Sequence, residues 1–372
     1  MRRACFLVDR FYGPTAIERR ARLEVRALVD AGARVTVVTA RWDDPHDDLA
    51  THPAVELVEV PRRGRRSVTQ ALWLAASSTG PVRRSIAGAD LLVAHGSPSL
   101  VPALPVARRR RVPAVFVVHS LIQDRLRTGD NPHPFPSTTL YRATDRIAAR
   151  AATHVVGVSR YIADVAVGLG AAPARTHVLH NPVDVERFHP GPEGGAGHDV
   201  DVLFVGRLTV DKGIDDLLAA AALLGPDVSV AVIGPGTRRA ALEAGAPPHV
   251  RFLGRVDNDR LPALITRARL LAVPSRNEPQ GVAVLEGLAC GTPVVGCRVG
   301  GIPEMVEHGV NGWLVPPHRP DALAAAIRSA LDDPGYADVR RRARASAERF
   351  AAADFPAAVT SLYEGMVRTR PR

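Results

Sequence analysis

AVPSRNEPQGVAVLEGLACGTPVV, residues Ala272 to Val295, is the stretch from which the fold of this 372-residue chain can be read. It runs from an apolar strand (Leu270 to Val273) into a polar loop (Pro274 to Gln280). An apolar helix follows (Gly281 to Cys290), then a glycine stop at Gly291 and a second strand (Pro293 to Val295). A strand-loop-helix-strand unit of this kind predicts parallel strands joined by a right-handed crossover. In open α/β sheets ligands sit outside the carboxyl ends of the strands, which is where the loop after Val273 falls. Two carboxylates frame that loop: Glu278 lies within it, and Glu286 lies just over one turn into the helix, on the face that looks back to the same crevice. Between them Gln280, Gly281 and Val282 place backbone N–H groups at a helix N-terminus, a ready site for a phosphate. The plainer reading is an acid favoured by the helix dipole and an exposed helix Glu.

A second stretch weighs against the plainer reading. Val202 to Val205 form an apolar strand, followed by Gly206, Arg207 and Leu208. Asp211, Lys212 and Gly213 then open a helix with apolar positions Ile214, Leu217, Leu218 and Leu223. Of 48 Lys plus Arg residues, 47 are Arg, and Lys212 is the one lysine in the sequence. A chain that writes every other cation as Arg keeps a compact point charge here. Arg207 and Lys212 are the candidates to clamp phosphate oxygens without a metal and to stabilise charge on a departing group.

The pattern G-R-L-x-x-x-K-G at Gly206 to Gly213, followed by E-P-x-G-x-x-x-L-E at Glu278 to Glu286, resembles the retaining family 4 glycosyltransferases of GT-B fold. Matching motifs are N-P-V-D at Asn181 to Asp184 with Phe188 after it, G-x-P-V-V at Gly291 to Val295, G-G-I-P-E at Gly300 to Glu304 and N-G-W-L-V at Asn311 to Val315. The likeness is close from Leu179 to Pro317 and one of pattern only before that. It implies transfer of a hexose-type sugar, with retention at the anomeric carbon, from a nucleotide-sugar donor. UDP is the commonest nucleotide in such enzymes, and GDP and ADP stay open. It implies that Arg207 and Lys212 hold the diphosphate, that Glu278 bonds the donor-sugar hydroxyls, and that Glu286 bonds the ribose. The base would lie between Val232-Ile233-Gly234 and Gly254-Arg255-Val256. His119, at the end of the apolar run V-F-V-V, matches a His that contacts the transferred sugar. In the first loop, Arg10 to Pro14, a double glycine is usual. Here Gly13 stands alone before a proline that has no N–H, which weakens phosphate binding by that loop while still allowing close approach.

The remaining composition sets bounds. The length suggests two domains, and 46% hydrophobic content suffices for two aliphatic cores. Cys5, Cys290 and Cys297 make no disulfide framework and have no metal-ligand spacing, so a reducing cytoplasm fits. No apolar run reaches the length of a membrane span, and the first apolar run is too short for a signal peptide. The formal charge is +10, and arginine clusters occur at residues 62–66, 83–84, 108–111 and 340–344. No aromatic platform interleaves with them, so nucleic acid is not expected as a partner. Solvated helix faces are the simplest account, and peripheral contact with the inner face of a membrane is the other. Asp43, Asp44, Asp47 and Asp48 read as an acidic turn and Asp199 with Asp201 as a pre-strand pair, so no metal is expected at either.

Strands are predicted at residues 4–8, 35–39, 55–60, 91–94, 114–118, 155–158 and 177–179, and helices at 15–31, 68–77, 100–110, 137–152 and 161–167. After the glycine-rich 191–197 stretch, strands recur at 202–205, 228–233, 250–252, 270–273 and 294–295. The expected architecture is therefore α/β: two doubly wound Rossmann-like domains facing across a cleft. Residues 1–185 form the acceptor-binding domain and 186–349 the donor-binding domain, with the helical segment at 355–367 crossing back onto the first. Expected partners are the nucleotide sugar and a small-molecule, natural-product or lipid-linked acceptor, with the chain a monomer or homodimer. The rival classes fare worse. A NAD-dependent oxidoreductase or epimerase needs G-x-G-x-x-G, which neither Gly13 nor Gly234-Pro235-Gly236 completes. A pyridoxal phosphorylase needs a Schiff-base lysine, and the single lysine sits at a helix start. A silent binding subunit would not be expected to keep Arg207, Lys212, Glu278 and Glu286 together.

Overall fold

The computed structural model describes residues 1–8, 16–39, 48–60, 80–122, 126, 137–191 and 198–369. The chain divides into two compact units. Unit 1 holds the chain up to residue 122 and residues 137–181, together with the carboxyl-terminal segment from Ala353. Unit 2 holds Pro182–Ala352. The division at Asn181 and Pro182 falls ahead of the glycine-rich stretch.

Unit 1 contains β1 (Arg3–Val8), β2 (Arg34–Thr39), β3 (Val55–Glu59), β4 (Leu91–Ala94), β5 (Ala114–Val118), β6 (His154–Gly157) and β7 (Thr176–Val178), in the spatial order β3-β2-β1-β4-β5-β6-β7. Every pairing in this sheet is parallel. Unit 2 contains β8 (Val200–Val205), β9 (Val230–Ile233), β10 (Val250–Gly254), β11 (Ala268–Val273), β12 (Val294–Cys297) and β13 (Gly312–Val315), in the order β10-β9-β8-β11-β12-β13, also parallel. In each sheet the order reverses once, between β1 and β4 and between β8 and β11. Those are the switch points outside which α/β sheets bind ligands.

Burial explains why these sequences form strands. All five residues of β5 and all four of β4 are buried, so both read as continuous apolar runs with no alternation, as sheets covered on both faces require. The edge strand β3, Val-Glu-Leu-Val-Glu, keeps polar residues at its open positions. Helix α1 (Ala16–Asp30) lies against unit 1 with Ala21, Val25 and Leu28 buried. The final helix of unit 1, Phe355–Arg368, buries Phe355, Val359, Tyr363 and Met366 in a stripe at helical spacing and packs on α1. Burying one such side chain contributes roughly 1.5–3 kcal/mol. In unit 2, α2 (Ile214–Leu224) and α3 (Val282–Ala289) follow β8 and β11.

The strand expectations land within a few residues, and five elements differ. The helix expected over 100–110 is broken by prolines into Ser97–Leu100, a 3-10 turn and Leu104–Arg110. Gly312–Val315, noted only as a motif, is the edge strand β13. Helices Pro81–Ala87, Pro320–Leu331 and Tyr336–Glu348 were not anticipated. The helix expected over 68–77, the first loop with Gly13, and Asp43, Asp44 and Asp47 lie outside the described residues.

Candidate functional site

At the switch point of unit 2 the loops after β8, β9, β11 and β12 are tied together by backbone hydrogen bonds. Gly206 N–H donates to Ile233 O (3.0 Å) and Leu208 N–H to Pro235 O (2.9 Å). Arg276 N–H donates to Asp211 O (2.8 Å), Gly301 N–H to Glu278 O (2.9 Å), and Gly234 N–H to Gly254 O (2.8 Å). The approach is close enough to exclude side chains, as Gly213 and Gly234 show. Gly213 has φ +64, and a Cβ there would lie 1.9 Å from Pro274 O. Gly234 has φ +146, and a Cβ there would lie 1.7 Å from Gly206 O. Glycine is thus required where β8's loop meets β11's and where β9's loop meets β8's.

These loops bring Lys212 and Glu278 together, with Nζ donating to Oε2 at 2.6 Å while the two side chains keep 20% and 12% of their exposure. Ser275 Oγ also donates to Glu278 Oε2, at 3.3 Å. Arg207 lies on the same loop, 58% exposed, with one guanidinium nitrogen 3.4 Å from Asp211 Oδ2. A charge-assisted pair this short that solvent still reaches is positioned yet exchangeable, so an incoming anion can compete for the ammonium. Gly281 is the N-cap of α3 with φ +107, and Val282 opens the helix. The amides of that first turn have no intrahelical acceptors, which is the anion-binding property of a helix N-terminus. Gln280 and Glu286 are buried beside it. Gly206 is half-buried, and Val256 packs half-buried against the apolar cluster under Ile233 and Leu261.

Sequence reasoning missed further polar groups here. Asp211 Oδ1, Thr209 Oγ1 and both polar atoms of Asn277 are buried and have no hydrogen-bond partner among the described residues. An unsatisfied buried polar group costs on the order of 1–3 kcal/mol, and such groups concentrate where a ligand's own donors and acceptors complete the network. Their signal in the sequence was adjacency alone, Asp211 before Lys212 and Asn277 before Glu278. The pre-strand pair is engaged by neighbours: Asp199 accepts from Arg267, and Asp201 accepts from Ser229 and Arg269. Among the described residues no cluster of three or more His, Cys, Asp and Glu could hold a metal. The three thiols are free and buried, and burial pushes each up to about 12.

His119 follows β5 and is half-buried, its Nε2 3.0 Å from Nδ1 of His95, which follows β4 at that sheet's switch point. Burial, then the neighbouring His95 and Arg20, hold the His119 imidazole well below the usual histidine range, with Glu24 opposing. Sequence reasoning missed Arg20, Glu24, His95 and Tyr363. The only signal was the i,i+4 spacing of Arg20 and Glu24, which reads equally well as a surface pair. Near this group Ser97 Oγ donates to Asp145 Oδ1 (2.5 Å) and Ile122 N–H to Oδ2 (3.0 Å). Burial raises the Asp145 carboxyl to about 6 against those two bonds.

Residues 188–350 match the family model described as glycosyl transferases group 1, and residues 17–187 match the model described as glycosyltransferase family 4. The chain is 34% identical over 272 residues to a glycogen synthase of Mycobacterium tuberculosis, covering 70% of this chain and 62% of that one. It is 36% identical over 261 residues to a D-inositol 3-phosphate glycosyltransferase of Catenulispora acidiphila, covering 62% and 60%. It thus spans somewhat under two thirds of the length of these relatives. In fold it is similar to Anabaena HepE solved in complex with UDP-glucose, with TM-score 0.75, 24% identity, and 98% and 99% of the two chains covered. The sucrose-phosphate synthase of Thermosynechococcus elongatus gives TM-score 0.80 at 22% identity, again covering 98% and 99%. With two family models that together run from residue 17 to residue 350 on two doubly wound parallel sheets, the chain belongs to the group 1, family 4 glycosyltransferases of GT-B fold.

Proposed function

We propose that the protein transfers a hexose-type sugar from a nucleotide-sugar donor, a UDP-sugar in the first instance, to a small-molecule, natural-product or lipid-linked acceptor, with retention and without a metal. The observation that carries this reading is the Lys212–Glu278 pair at the β8/β11 switch point, with Arg207 on the same loop. Lys212 and Arg207 take the diphosphate, and the α3 N-terminus at Gln280, Gly281 and Val282 adds backbone donors. As the bond to the anomeric carbon lengthens, negative charge grows on the leaving phosphate oxygen, and these cations lower that barrier. The departing oxygen accepts the acceptor's proton on the same face of the sugar. Glu278 orients the sugar hydroxyls and Glu286 the ribose, while the base is read by main-chain groups at Gly234 and Val256. From unit 1, His119 contacts the transferred sugar. Support for a UDP-linked donor comes from HepE, whose complexes hold UDP-glucose or UDP and glucose, and from relatives named as glycosyltransferases. Unit 2 is the donor-binding domain on this reading and unit 1 the acceptor-binding domain, with a cytoplasmic setting.

The test is incubation of the purified protein with a panel of nucleotide sugars, with and without chelator. Nucleotide release is read first, then transfer to candidate acceptors by mass spectrometry and the anomeric configuration of the product by NMR. Turnover of a UDP-sugar in chelator, giving a retained product, is expected. No nucleotide release from any donor, an inverted product, or activity that returns only with magnesium or manganese would refute the corresponding part.

A further inference from the structure

Behind His119 lies a chain of fully buried polar groups that the reaction as proposed does not use. Glu24 of α1 is 0% exposed and Arg20 1%. Arg20 Nε donates to Glu24 Oε1 at 2.6 Å, and its second donor nitrogen bonds Leu179 O (2.6 Å) and Asn181 Oδ1 (3.2 Å). The other carboxylate oxygen, Glu24 Oε2, receives Tyr363 O–H at 2.7 Å and stands 3.1 Å from His95 Nε2. His95 Nδ1 is 3.0 Å from His119 Nε2, and the two rings are stacked with centroids 5.3 Å apart. Among the described residues the titratable groups facing this cluster are therefore Arg20 and Glu24 from α1, His95 after β4, His119 after β5 and Tyr363 from the final helix.

We propose that Glu24 and His95 are positioning residues that fix the tautomer of His119, so that its Nδ1 is presented to substrate as a bare hydrogen-bond acceptor. The inference rests on the reading that His119 contacts the transferred sugar. The proton count follows from the geometry. Burial pushes Glu24 up, but the Arg20 guanidinium and the hydrogen bonds from His95 and Tyr363 outweigh it and bring the carboxyl down to about 2, so it is a carboxylate and only accepts. The hydrogen between Glu24 and His95 therefore sits on His95 Nε2. Arg20 already balances the Glu24 charge, so the buried cluster needs no second cation, and a single shared proton on His95 Nε2 leaves it at zero net charge. A neutral imidazole with its proton on Nε2 has a bare Nδ1, which must accept from His119 Nε2–H. His119, kept neutral, then has its lone pair on Nδ1, ready for a substrate hydroxyl. Tyr363 and Arg20 hold the carboxylate in place from the far side.

The test uses the full chain labelled with 15N-histidine, reading tautomers from long-range proton–nitrogen NMR correlations beside steady-state kinetics. At pH 7 His95 and His119 are both expected as Nε2–H. In Glu24→Gln the amide oxygen must face Arg20, which has only protons to offer, so the NH2 group faces His95 Nε2. His95 then becomes Nδ1–H, and His119 flips to Nδ1–H with it. Donor kcat should fall roughly tenfold to hundredfold, the cost of turning one acceptor into a donor, with binding of bare UDP unchanged. If Glu24→Gln does not fold, His95→Phe keeps the ring stacked on Phe6 and His119 and removes the acceptor; the Nε2–H lock of His119 is then lost, with the same fall in kcat. An Nδ1–H His119 in the unmodified protein, or a His119 tautomer unmoved in a folded Glu24→Gln or His95→Phe protein, would overturn the relay. Full activity in His119→Ala would instead defeat the contact with sugar, whatever the tautomer.

Discussion

Glu278→Gln should tighten binding of the bare nucleoside diphosphate while slowing the enzyme. In the structure the Lys212 ammonium is committed to Glu278 Oε2 at 2.6 Å. A diphosphate must take that ammonium over and then sit beside the carboxylate's negative charge. A charge-assisted hydrogen bond is worth roughly 1.5–3 kcal/mol, and because water still reaches both partners the lower end applies. Removing the carboxylate charge relieves the competition and the repulsion together, so UDP should bind more tightly by about 1–2 kcal/mol, roughly five- to thirty-fold. The donor sugar loses a charged acceptor for its hydroxyls, so kcat should fall by on the order of ten- to a hundred-fold. Calorimetric titration with UDP beside kinetics on the UDP-sugar reads both effects, and a Lys212→Met background should abolish the affinity gain. If Glu278→Gln binds UDP more weakly than the unmodified protein does, Glu278 holds the nucleotide end and the donor lies the other way round.

Lys212→Ala should remove most turnover from a folded protein, and Lys212→Arg should restore little, because a planar fork does not fit a site built around one short Nζ–Oε2 contact; kcat at saturating donor decides. Glu286→Gln should weaken UDP binding by roughly 1–3 kcal/mol while leaving stability nearly intact, checked by titration and thermal melting. Tyr363→Phe should cost about 1–3 kcal/mol of stability through loss of its bond to Glu24. Glu24 itself sits at about 2 against an ordinary 4.5, so its contribution, about 3 kcal/mol, is fully present above pH 4.5 and is lost as pH falls through 2; denaturant melts across that window should show it. Asp145 runs the opposite way: its carboxyl is raised to about 6, so folding takes up its proton and stability falls as pH rises from about 4 to 6. Asp145→Asn should flatten that slope in the same melts.

The sequence by itself determined the two doubly wound sheets, because buried parallel strands are written as unbroken apolar runs and their helices as amphipathic stretches between glycine and proline stops. It also marked the loops after β8 and β11, where a lone lysine and two glutamates stand out against an arginine-rich, aliphatic background. It misjudged the proline-broken segment at 97–110 and passed over β13, where four residues of an edge strand carry too short a period to register. Only tertiary structure decided that Lys212 bonds Glu278, residues 66 apart in the chain, because their meeting depends on strand order and on glycines that let carbonyl oxygens come within 2 Å of where a Cβ would be. The same holds for the buried chain from Tyr363 through Glu24 and His95 to His119. Its members lie up to 339 residues apart, and apart from His119 none stands out in the sequence until α1, the final helix and two strand ends close over them. Local periodicity specifies elements. Which polar groups end up sharing one low-dielectric pocket follows from how those elements pack, and no local pattern carries that information.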